Sequence, residues 1–209
     1  VSLVQRLRER GLSVPVRTLF ATPTPAGVAA SSGAPVTEVP PNGIPDGARH
    51  ITPEMLPLLD LTPAQAESVC TAVEGGAANV ADMYPLAPLQ EGIFFHHLLT
   101  ASGDADPYLF SFAMALDTRR RVDGLLSALQ RVVDRHDIYR TGFVWEGLPE
   151  PVQVVCRRAT LPVTEVVLPG TGDAAAELLT AAGSWMDVRR APLLRVHVAA
   201  EPGGARWLV

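Results

Sequence analysis

Lysine is absent from the 209-residue chain, and all 17 basic side chains are arginine. With alanine, valine, glycine and proline abundant, this reads as genomic base bias rather than a demand for guanidinium chemistry. Cysteine is scarce. Cys70 and Cys156 stand far apart with no Cys-x-x-Cys partner, which argues against a disulfide framework or a thiolate zinc site and fits a reducing, cytoplasmic setting. No apolar run reaches the ~20 residues of a bilayer-spanning helix. Arg6, Arg8, Glu9 and Arg10 break any early apolar stretch that could act as a leader, so no membrane partner is expected. A net charge of −5 argues against a general nucleic-acid partner, which would want a basic face. The arginine spots at 119–121, 157–158 and 189–190 are short and read as solvated surface. Patterns of the GxSxG, P-loop, GxGxxG and EF-hand types are all missing.

What is present is enough apolar sequence for a core, 47% hydrophobic against 19% charged. Residues 1–30 read as small helices. Leu3, Val4 and Leu7 share one face, Gly11 is a natural stop, and Thr22 or Thr24 can cap a helix that opens on proline. Residues 31–49, rich in Pro, Gly and Ser, read as a linker. Residues 50–78 read as a helical connector in which Thr62 and Gln65 form a capping box. From 79 to 209, helices and strands alternate, so the class is α/β. Helices are expected at 88–100, 123–136 and 173–186. A strand is expected over 107–117, where Tyr108, Phe110, Phe112, Met114 and Leu116 share a face. "YRTGFVW" and "EPVQVVC" read as a hairpin, and "PLLRVHVAA" with "ARWLV" as a closing strand pair. The chain opens without Met and stops at the start of a strand, so a piece of a longer protein is expected.

The chemistry-bearing stretch is "EGIFFHHLLTASGD", Glu91 to Asp104. Adjacent helical residues point about 100° apart, so His96 and His97 do not share a metal, and no metal site is expected. One of the pair can reach a cleft while the other packs. A catalytic base would need a carboxylate partner. Asp104 is the candidate, just beyond Gly103, which would allow the turn.

"MYPLAPLQEGIFFHHLL" followed by "RHDIYRTGFVWEGLPEPVQVV" resembles a nonribosomal peptide synthetase condensation domain. Arg135, His136, Asp137 and Arg140 fall in the stretch similar to that family's second motif, RHExLRTxF. Arg135 paired with Asp137 is read as fixing the helix end against the hairpin. "HHLLTASGD", His96 to Asp104, resembles the HH[I/L]xxxxGD pattern of the dual epimerization/condensation subtype, which inverts the donor α-carbon before joining. Residues 1–30 resemble the C-terminal part of a peptidyl carrier protein, and 79–209 the N-terminal lobe of a chloramphenicol acetyltransferase-like condensation domain.

The resemblance implies carrier-bound aminoacyl or peptidyl thioesters as substrates. It also implies upstream and downstream carriers and an adenylation domain as partners, and 4′-phosphopantetheine on a carrier serine that is not among these residues. The family's HHxxxDG motif is also not among them, so this chain alone is expected to be inactive. His197 is read as a structural strand residue. The alternatives are a non-catalytic carrier-docking module and a coenzyme A-dependent acyltransferase of the same fold.

Overall fold

A computed structural model describes residues 2–12, 14–31, 40–100, 104–204 and 206–209. The chain divides into two compact units, Val1–Pro41 and Asn42–Val209. In the first, α1 (Ser2–Glu9), α2 (Val16–Ala21) and α3 (Pro25–Ser31) follow one another. Gly11, at φ +78°, lets the chain leave α1 while the Leu12 N–H donates to the Leu7 carbonyl at 2.9 Å. Thr24 rather than Thr22 caps α3, accepting the Gly27 N–H at 3.1 Å. The Thr22 hydroxyl turns back to the Thr18 carbonyl at the end of α2.

The larger unit begins inside the expected linker. Ile44 is buried in the core, and the Asn42 side-chain amide donates to Ala81 O at 2.8 Å. Asp46 pairs with Arg157, whose guanidinium also bonds Pro45 O. Residues 42–49 are therefore a strap fastened across the unit, held by partners far away in sequence. Next come α4 (Pro63–Ala72), β1 (Val80–Pro85) and α5 (Pro88–Leu99). The Thr62–Gln65 capping box starts α4, each side chain satisfying the other's first-turn N–H.

β2 (Ala115–Leu116), α6 (Arg119–Arg135), β3 (Thr141–Val144), β4 (Val152–Cys156), β5 (Val163–Glu165), α7 (Ala174–Ala182), β6 (Val196–Ala200) and β7 (Trp207–Leu208) complete the order. One sheet, β1-β4-β3, is antiparallel throughout; the other runs β2-β7-β6-β5, with β5 and β6 parallel.

Strand alternation divides the cores. Val152 and Val154 of β4 join Val80 and Met83 beneath Ala66, Val69 and Cys70 of α4. Gln153 between them exchanges side-chain hydrogen bonds with Gln90 of α5. In the second sheet, Val196 and Val198 pack with Val122, Leu126 and Leu129 of α6, whereas Ala199 and Leu208 pack with Leu178 of α7.

The expected strand over 107–117 shrinks to Ala115–Leu116, extended by a reciprocal backbone pair between Met114 and Val209. Alternation marks a face, but a ladder needs a partner backbone, and β7 supplies one only from Trp207 onward. Phe110 and Phe112 are exposed. No helix among the described residues is long and apolar enough to cross a membrane.

Candidate functional site

α5 places the histidine pair. Pro88 opens the helix without wasting an N–H, and the Gln90 side chain accepts the Ala87 N–H at 2.8 Å. Phe94 is wedged between Phe143 and Trp145 of the hairpin, with ring centroids at 5.8 Å and 4.9 Å. This sets the helix's rotation. His97, one turn beyond Phe94, is turned inward and is 7% exposed, whereas His96 is exposed beside Phe95 and Tyr108.

His97 Nδ1 lies 2.7 Å from Asp106 Oδ2, with each side chain 8% exposed. Trp185 stacks on the imidazole, with centroids 5.6 Å apart and planes 21° apart. The other carboxylate oxygen, Oδ1, accepts the Tyr108 N–H at 2.9 Å. Burial pushes the Asp106 carboxyl up, but the hydrogen bonds from His97 and the Tyr108 N–H, with the charge of His97, outweigh it and hold the group below its ordinary value. A carboxylate on Nδ1 favours the tautomer with the proton there. Nε2 has no hydrogen-bond partner among the described residues, and His97 lines the adjoining cavity.

That cavity has a volume of about 290 Å³. Apart from His97 and Asp106 its lining is mostly apolar: Ile93, Phe94, Leu109, Phe143, Met186, Val188 and Leu193, with Gln90 and Tyr108. A base held in such a wall, and oriented by a carboxylate, can take a proton from a carbon acid bound beside it.

Two expectations change. Asp104 is exposed, and the carboxylate that meets His97 belongs to Asp106, because the extended 104–106 segment carries the chain back and Pro107 turns it there. Gly103 lies outside the described residues. At the end of α6 it is Arg140, not Arg135, that ties helix to hairpin. Arg135 is exposed, whereas the guanidinium of Arg140 is buried and bonds Val133 O, Asp134 O, Cys156 O and Asp137 Oδ1. The one-turn helix Asp137–Arg140 is the reason, since it swings residue 140 back over the last turn of α6. His136 caps that turn with an exposed side chain. His197 of β6 is half-buried, and burial, with Arg195 nearby, lowers its pKa. Among the described residues no group of three or more His, Cys, Asp or Glu is placed to hold a metal.

Asp106 and Trp185 are site residues that sequence reasoning missed. The Asp-Pro-Tyr turn is the available sign for the first; nothing local marks the second.

Residues 80–209 match the family model described as "Condensation domain". The whole chain is 49% identical to malpinin synthetase of Mortierella alpina and 45% identical to malpibaldin synthetase of the same organism, spanning only 3% and 4% of their lengths. Over 38% of the chain it is 38% identical to gramicidin S synthase 2 of Brevibacillus brevis, of which it covers 2%. A solved structure described as holo T3CT superposes over 73% of this chain and 35% of its own with a TM-score of 0.51 at 20% identity, a likeness of fold alone. The α/β architecture is thus the chloramphenicol acetyltransferase-like fold, and the chain belongs to the condensation-domain family of nonribosomal peptide synthetases.

Proposed function

We propose that this chain is the N-terminal lobe of a condensation domain of the dual subtype, preceded by the tail of a peptidyl carrier protein. In the longer synthetase it would invert a carrier-bound L-aminoacyl donor and then help join it to the acceptor. The observation that carries the reading is the buried His97–Asp106 pair opening on an apolar cavity, inside and just beyond the stretch "HHLLTASGD". Likeness to the two fungal synthetases runs through residues 1–79 as well, which supports a carrier tail and connector in register with the lobe.

The donor is a thioester on a carrier's phosphopantetheine arm. Nε2 of His97 takes the α-proton, breaking C–H and forming N–H, and the electron pair moves onto the thioester oxygen as an enolate. Water, as the proton donor on the opposite face of the carbon, returns a proton to give the D-residue, and the His97 imidazolium releases its own proton to the hydroxide so formed, so that the net change is inversion alone. The acceptor amine then attacks the thioester carbonyl, C–N forms, and the C–S bond breaks to release the arm's thiol. Removing a proton α to a thioester at neutral pH needs a base whose acceptor nitrogen is held in place. The Asp106 contact does this for His97 and leaves His96 at the surface.

The test uses the intact synthetase module with an L-aminoacyl donor, sampled before condensation is complete and analysed for chirality. A D-residue should appear in donor pool and product. His97→Gln, which keeps a polar group toward Asp106 but has no titrating nitrogen, should slow inversion by about 10²–10⁴-fold, the usual contribution of a general base. His96→Ala should cost far less. Unchanged inversion in both variants overturns the role given to the pair, and absence of any D-residue in the unsubstituted module overturns the subtype.

A further inference from the structure

We infer that Asp106, two residues past the HHLLTASGD stretch, is the positioning residue for His97, and that it is locked to the 183–188 segment that walls the same cavity. This rests on the reading of His97 as a base. Asp106 is fixed from three sides. Its Oδ2 meets His97 Nδ1 at 2.7 Å, its Oδ1 accepts the Tyr108 N–H at 2.9 Å, and its own N–H donates to Ser184 O at 2.9 Å. The residue after Ser184, Trp185, lies flat on the imidazole, and Met186 and Val188 continue the cavity wall.

The segment is anchored at both ends. Arg195 bonds Ala182 O at 2.6 Å and reaches Gly183 O, while Val188 O accepts the Phe143 N–H at 3.0 Å. One residue therefore sets the tautomer of the base through its carboxylate and ties α5 to the 183–188 segment through its own N–H. Tyr108 is the other titratable side chain lining the cavity; Arg195 is the charge that holds the segment, and His96 stands outside against Tyr108.

Asp106→Asn keeps the shape and an oxygen for Tyr108 but can point an amide N–H at Nδ1. The imidazole then carries its proton on Nε2 and offers no lone pair to the cavity. In the serine-protease triad, the same exchange of carboxylate for amide leaves the geometry intact, puts the histidine in the wrong tautomer and lowers turnover by about 10⁴.

The experiment has two arms. In histidine-labelled chain of 209 residues, ¹⁵N chemical shifts read the His97 tautomer, with His97→Gln assigning the signal. Proton on Nδ1 in the parent and on Nε2 in Asp106→Asn is expected; the same tautomer in both overturns the inference. In the intact module, Asp106→Asn should lose inversion by about 100-fold or more while a D-aminoacyl donor is still condensed, with Asp106→Glu restoring part of the loss. Inversion at the parent rate also overturns it. A tautomer that switches in a module that never inverts leaves the positioning role standing and removes the epimerization reading instead.

Discussion

Arg140→Ala is expected to be the most costly single substitution in the larger unit outside the apolar cores. The guanidinium is 9% exposed and makes bonds of 2.8 Å to Cys156 O, 2.8 Å to Val133 O, 2.5 Å to Asp134 O and 2.5 Å to Asp137 Oδ1. Val133 and Asp134 lie in the last turn of α6, where carbonyls have no intrahelical donor. Each carbonyl left unsatisfied costs about 1–3 kcal/mol, but a truncated site admits water at a helix end, so the sum falls short of three full penalties. Three carbonyls losing a charged donor, with partial rescue by water, place the total at about 3–5 kcal/mol. For a unit of this size that is a fall in Tm of roughly 6–20 °C.

The Asp137 contact contributes little of this. Asp137 is 73% exposed, so Asp137→Ala should cost no more than about 1 kcal/mol. Arg140→Lys keeps the charge but not the fork, and should fall between. Urea unfolding followed by tryptophan fluorescence reports the right unit, since Trp145, Trp185 and Trp207 all lie within 42–209. An Arg140→Ala cost below about 1 kcal/mol at unchanged m would refute the assignment of helix-end and strand-end carbonyls to this side chain.

Packing sets the remaining expectations. Gly142→Ala would put a Cβ 3.0 Å from Arg189 O and 3.3 Å from Arg189 C. Both are backbone atoms, so β3 or the Arg189 backbone must give by a few tenths of an ångström; a cost of about 1–3 kcal/mol in urea unfolding is expected, with the neighbouring Phe143–Val188 bond weakened. Cys70 and Cys156 are buried, and burial is the main cause raising both thiols above their ordinary value. Neither should react with a chromogenic disulfide at about pH 8 until denaturant is added, and both should then react.

Local chemistry made much of the fold legible. The Thr62–Gln65 box, the hairpin around Gly147 and the closing strand pair are all short-range signals. The failures share a cause in long-range contact. Residues 42–49 have a linker's composition, yet Ile44 is core, because Ala81 and Arg157 supply partners that no local window contains. Likewise Arg135 and Arg140 are equally basic in sequence. Only the one-turn helix between them decides which one is folded back over α6.

The site shows the same division more sharply. Helical spacing allows at most one of His96 and His97 into a shared cleft, but α5 is apolar nearly all round. Leu89, Phe95 and Leu99 on its outer side are more than half exposed, and look no different in sequence from Ile93 and Phe94, which face inward. Hydrophobicity therefore cannot choose the rotation of this helix. The hairpin chooses it. Phe143 and Trp145 bracket Phe94, and the residue one turn further on, His97, follows it in, carrying Gln90 and Ile93 to the same cavity. Once His97 is inside, its Nδ1 needs a partner in an apolar wall, and the Asp-Pro-Tyr turn at 106–108 delivers one that spacing alone assigned to Asp104. Both histidines belong to the stretch that carries the resemblance; which of them the proposed reading makes a base is set by two aromatic residues far downstream of α5.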